Sequence, residues 1–271
     1  MSAVTAPAPT GSGRAPAGLG TRHLLRLVLL HTRYQILETV RVPIAVIGNL
    51  VFPSLALAFF VLPNQAVAQD PVNATQAVAQ LSLFAVISTC VFSYGVGVAE
   101  DRAQPFDPFV RTLPAGPIPR LGGRLLTGGA FSLVSLIPLL AIGALATAAA
   151  PSIGRVLAGV VMVLLGGMPF LFAGLAIGYA LSFKAALPVA QVILFPLAFA
   201  GGLFLPPEMF PAWLDTASGF LPTRAARDVL VHVTTGQGAT AFDVIMLVLW
   251  TVALAALAVV AYRRDEGRRF R

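Results

Sequence analysis

The densest grouping of reactive side chains is the stretch VAEDRAQPFDPFVRTLPAGPIPRLGGRLL, residues 98–126. It carries Glu100, Asp101 and Asp107 beside Arg102, Arg111, Arg120 and Arg124, among prolines 105, 108, 114, 117 and 119. Charges of both signs on a proline-stiffened backbone suit docking to a partner, because little entropy is lost when such a loop is captured. Phe106 and Phe109, three residues apart, share one face of a helical turn and add apolar knobs. Bond-making constellations are missing. There is no H-E-x-x-H and no G-x-S-x-G, and His23, His31 and His232 are far apart. Cys90 stands alone in an apolar run, which excludes a disulfide framework or a cysteine metal site. The single lysine, Lys184, follows Phe183 rather than glycine, so there is no P-loop to hold a nucleotide.

The elements that must position this loop are apolar. Of 271 residues, 57% are hydrophobic and 11% charged, with a mean hydropathy of +0.85. A soluble domain would carry about a quarter charged residues. Six apolar runs, at about 42–62, 77–99, 125–150, 156–182, 186–205 and 242–262, are long enough to cross a bilayer, which needs roughly 20 residues each. Unpaired backbone is not tolerated in lipid, so these spans are expected to be helices. The expected fold is therefore all-α: six transmembrane helices in one domain, 21–262. Pro169, in the GGMP of the overlong fourth span, is expected to kink or divide it.

Residues 1–20 read as a disordered Ala/Pro/Gly/Ser/Thr tail without the apolar core of a signal peptide, and 263–271 as a basic tail. Between tail and first span, Arg22, Arg26, Arg33 and Arg41 alternate with Leu24, Leu25, Val28, Tyr34 and Leu37 at helical spacing. This is the pattern of an amphipathic helix lying at the membrane surface against anionic lipid, or of a plain lead-in helix. Only Arg155, Arg224 and Arg227 fall on one side of the six spans; every other basic residue falls on the other. The positive-inside rule then puts both termini and the 98–126 loop in the cytoplasm. The net charge of +7 flanks apolar spans, so it argues for anchoring and against nucleic acid. Arginine- and alanine-rich usage suits a GC-rich bacterium, hence a bacterial cell membrane.

No ionisable residue lies inside a span as drawn, which lowers the expectation of a proton-coupled carrier. The 206–235 stretch is too apolar for a plain exposed loop. Pro206, Met209, Phe210, Trp213, Phe220 and Leu221 suit headgroup depth, so a re-entrant or interfacial segment is expected, with Trp213 also readable as a simple anchor.

Two stretches resemble the membrane subunits of type-2 ATP-binding-cassette (ABC) exporters, nearest to the drug-resistance permeases. The first is Glu100-Asp101-Arg102 followed by PFDPFVRTLP, with Phe106, Asp107, Phe109, Arg111, Leu113 and Pro114 in the family's order. The second is 195–237, where a Gly-rich end of the fifth span precedes Pro207, Met209, Pro211, Trp213, Leu214, Pro222 and Arg227. Pro105 stands where the family often has glycine, and Leu221-Pro222 where Asn-Pro is common. The resemblance implies a coupling helix in the 100–114 loop that docks on a separate ABC ATPase, present in two copies. It further implies a second permease, identical or related, a re-entrant outer segment, and ATP with Mg bound by the partner and no cofactor on this chain. The expected activity is export of an amphipathic, drug-like or lipid-like substrate. Two rivals remain open at this stage: a secondary carrier or channel needing no ATPase, and a membrane anchor whose loop binds a partner without transport.

Overall fold

The computed structural model describes residues 21–41, 51–105 and 118–269; the expected 1–20 tail and the start of the first span lie outside them. Among the described residues there are helices and no strand. In chain order these are α1 (Thr21–Val40), α2 (Val51–Val61), α3 (Gln65–Ala68), α4 (Pro71–Ala103), α5 (Ile118–Ala146), α6 (Ile153–Ala180), α7 (Phe183–Ala200), α8 (Ala212–Ser218), α9 (Pro222–Thr235) and α10 (Ala241–Arg269). Five of them (α4, α5, α6, α7 and α10) are long and apolar enough to cross a membrane, and α2 is the described part of the first expected span.

Local sequence sets the starts. Asp70 accepts from the backbone N–H of Val72 (3.0 Å) and Asn73 (2.8 Å), with Pro71 at the first helical position of α4. Asp243 accepts from both the backbone N–H (2.8 Å) and the hydroxyl (2.8 Å) of Thr240, which satisfies a free donor at the start of α10. Gly236, at φ +88°, ends α9 in the left-handed conformation that glycine takes without strain.

Packing makes α4 the axis. About 78% of its most apolar window is buried, against 17% for α10, whose remaining surface is left for lipid. On the α6 side the backbones nearly touch: a Cβ on Gly174 would lie 2.7 Å from the Cys90 carbonyl oxygen, and one on Gly178 2.7 Å from that of Tyr94. Here α4 widens into a π-helical stretch, Cys90–Val96. Tyr94 uses it to reach α5, donating to the Leu125 carbonyl (3.2 Å) over Gly128. Behind α6 lies α10, and α9 fills the angle between α4, α6 and α10.

The fourth span is not divided at Pro169. That proline is buried inside one continuous helix, α6, held between α4 and its other neighbours. α4 begins six residues earlier than the run 77–99, because the capped Asp70-Pro71 start precedes the apolar part. α10 continues beyond 262 through Arg263 and Arg264 to Arg269.

Candidate functional site

The charged loop is rooted at the end of α4, and its root is clamped by ion pairs. Asp101 accepts from Arg124 Nη2 on α5 at 2.5 Å, with Arg120 Nη2 at 3.7 Å. Arg102 turns the other way. Its Nη1 donates to the Gly178 (2.5 Å) and Leu181 (3.0 Å) carbonyls at the end of α6, where a cation suits the helix dipole. Its Nη2 donates to Asp265 on α10, and its guanidinium lies 5.9 Å over the Tyr179 ring. Tyr179 meets Tyr262 edge-on at 5.1 Å, and the Tyr262 hydroxyl donates to Glu266 at 2.6 Å. Two consecutive residues thus tie α4 to α5, α6 and α10. Arg102, expected from sequence among charges offered to a motor, is engaged inside the chain. Glu100 is exposed. Phe106, Asp107, Phe109, Arg111, Leu113 and Pro114 lie outside the described residues.

Beside this clamp, α1 packs on the first half of α5. Val28 meets Gly122, His31 meets Gly123, and Thr127 donates to Gln35 Oε1 at 3.3 Å. Arg22, Arg26, Arg33 and Arg41 are all exposed, with Arg22, Arg26 and Arg33 on the face opposite α5. Leu25 and Leu29 flank them, so basic and apolar groups are offered together to the surroundings. Burial, and then the positive charge of Arg120, hold the His31 imidazole below its ordinary 6.5.

Midway along the bundle the first, second and fifth expected spans meet through phenylalanines. Phe84 of α4 lies 5.9 Å from Phe52 of α2, 6.3 Å from Phe195 of α7 and 4.7 Å from Phe204; Phe204 lies 4.8 Å from Phe199. Phe84 is buried while Phe52, Phe59, Phe60 and Phe199 are exposed. An aromatic surface without charge can hold apolar or amphipathic molecules by stacking and burial.

At the opposite end, the stretch after α7 returns into the bundle. Pro207 is buried in a single 3₁₀ turn, Met209 and Pro211 are exposed, and Trp213 on α8 is 71% exposed. Pro222 starts α9, and Thr223 donates to the Leu197 carbonyl at 2.7 Å. One turn on, Arg227 and Asp228 are only 4% and 7% exposed. Arg227 Nη1 donates to Asp228 Oδ1 (2.6 Å). With the Gln80 amide oxygen turned toward it, Arg227 also donates through Nε (2.9 Å) and Nη2 (2.7 Å) to this α4 residue. Asp228 accepts in addition from Arg224 Nε at 2.6 Å, and Arg224 extends to Asp215 (3.0 Å) and Ser218 (2.9 Å). Burial alone would lower the Arg224 pKa, but the bonds and charges of Asp228 and Asp215 outweigh it and hold it above the ordinary value. A cluster of ion pairs sits against the apolar part of α4, carried by the returning segment rather than by a span.

Sequence reasoning singled out Arg227 and placed Arg124 in the charged stretch, but missed Gln80, Asp228 and Asp265. Gln80 had one signal: it is the lone amide in the 77–99 run.

Apolar helices of this length around a buried axis define a multi-pass helical membrane protein. Residues 26–235 match the family described as ABC-2 type transporter, and the chain belongs to that family. It is accordingly a transmembrane permease subunit of an ABC transporter, a system in which ATP hydrolysis belongs to an ATPase partner. A relative is YvfS of Bacillus subtilis (strain 168), named as a candidate transport permease. It is 21% identical over 187 residues, 69% of this chain and 76% of that protein.

Proposed function

We propose that this permease exports an amphipathic, drug-like or lipid-like molecule across a bacterial cell membrane, with both termini in the cytoplasm. Two copies of a separate ATPase, holding ATP and Mg, would dock on the 100–114 loops of two permeases, identical or related. The observation that carries the reading is the clamp at the loop root. Because Asp101 and Arg102 are bound to α5, α6 and α10, a push on Glu100, Phe106 or Phe109 is delivered to four helices at once. A loop rooted in one helix would flex instead. The phenylalanine surface shared by α2, α4 and α7 supports an apolar or amphipathic cargo, and the exposed Pro211 and Trp213 support a headgroup-depth role for the returning segment. The exposed arginines of α1 support a seat for anionic lipid.

The test is reconstitution of the chain with a candidate ABC ATPase from the same organism, reading ATP hydrolysis and transport of a fluorescent amphiphile together. Export that needs both proteins and ATP supports the reading. Transport by the chain alone along an ion gradient would replace it with a secondary carrier.

A further inference from the structure

α4, α5, α6 and α9 do not close on one another everywhere. Where α5 and α6 separate, toward the end holding Pro151, they leave a cleft open on one side to the surroundings. Its walls are aliphatic: Val78 from α4, Leu136 and Leu140 from α5, Val160 and Val163 from α6, Leu230 from α9. Three hydroxyls also line it, but each is committed to its own helix. Thr75 donates to the Pro71 carbonyl (2.6 Å), Ser82 to Val78 (2.7 Å) and Thr234 to Leu230 (2.9 Å). Water needs two to four polar partners to remain in such a space, and this lining offers almost none. Hydrocarbon needs no such partners, and α4, α5 and α6 are all membrane-crossing helices.

One end of the cleft is cationic. Arg155 precedes the lining residue Val156 and stands one turn before Gly159. Its guanidinium lies against Gly236, two residues beyond the lining residue Thr234; a Cβ on Gly236 would be 3.4 Å from Nη2. Arg155 is exposed, and no carboxylate among the described residues pairs with it. An apolar cleft ending at an unpaired arginine suits an acyl chain joined to an anionic head, and a membrane phospholipid supplies both.

We infer that this cleft is a binding site for a resident membrane phospholipid, its acyl chain between α5 and α6 and its phosphate on Arg155. The site is distinct from the phenylalanine surface and does not depend on the export reading. An occupied cleft holds α5 against α4 and α6 where protein contacts alone leave a gap.

The experiment uses the full chain alone in nanodiscs containing an anionic phospholipid with a photoreactive group on its acyl chain, and cross-links are mapped by mass spectrometry. Adducts are expected on residues 156–163 and 230–234. Val160→Trp, which fills the cleft, and Arg155→Gln, a surface change that leaves packing untouched, should each lower them about tenfold, the worth of one lost charged contact. Leu157→Trp, on the exposed face of α6, should leave them unchanged, and a diacylglycerol probe without phosphate should label as weakly as Arg155→Gln. Equal labelling in wild type and Arg155→Gln, or adducts spread evenly over the exposed helix faces, would overturn the inference.

Discussion

Replacing Asp228 by alanine tests the buried cluster most sharply. The carboxylate accepts from both Arg227 and Arg224 at 2.6 Å. Without it, Arg224 keeps Asp215 and Ser218 near the surface, but Arg227 is left as a buried cation with only the Gln80 amide. Stranding one member of a buried pair costs about 3–5 kcal/mol, whereas replacing both by apolar groups of similar size is often neutral. Arg227→Met should cost less than Asp228→Ala, because Asp228 then still holds Arg224. For a chain of this size the loss of about 3–5 kcal/mol corresponds to a drop of roughly 6–20 °C in unfolding temperature. Trp250, whose indole N–H donates to the Phe220 carbonyl at 2.8 Å, reports on the contact between the returning segment and α10. Its fluorescence on heating in detergent is therefore the assay. The expected order of stability is wild type near Arg227→Met/Asp228→Leu, then Arg227→Met, then Asp228→Ala. Asp228→Ala melting with wild type, or the double variant falling as far as Asp228→Ala, would refute the reasoning.

Two further outcomes follow from local geometry. Gly174→Ala puts a Cβ 2.7 Å from the Cys90 carbonyl oxygen, so α4 and α6 must part at a cost of about 1–3 kcal/mol. Gly129→Ala, with open space around the new methyl, should lose nothing in the same melting assay. For His31, the lowered pKa of the docked form means that α1 released from α5 takes up a proton more readily. Docking is then fully present above the ordinary value of 6.5 and is lost as pH falls through it toward the lowered value. Hydrogen exchange of residues 21–40, corrected for intrinsic rate, should speed up between about pH 7.5 and about pH 5.5, and His31→Gln should flatten the difference. An unchanged wild-type profile would remove His31 from the docking of α1.

Much of the scaffold was legible because apolar length and arginine placement are local properties. The long helices α4, α5, α6, α7 and α10 fall on the runs read from the sequence, and the helix at 21–40 on its arginine–leucine alternation. Pro169 does not divide its span, because one lost hydrogen bond does not end a helix whose proline face is packed in the bundle. The partners of the charges were not legible. Arg102 and Asp265 are 163 residues apart, and nothing in either local pattern points to the other. Gln80 reads as a neutral residue in an apolar run until α9 brings Arg227 against it. Sequence therefore located the charged stretch that follows α4, whereas the clamp at its root emerged only from the packing of four helices.

Docking of an ATPase on that loop is the central claim, and ATP hydrolysis by the reconstituted pair is its most direct measurement. Hydrolysis should rise when this chain is added and should fall to the rate of the ATPase alone with Phe106→Ala/Phe109→Ala, while membrane insertion and the Trp250 melting curve stay at wild type. Full stimulation by the double variant would contradict the docking of the loop and with it the mechanism proposed for this permease.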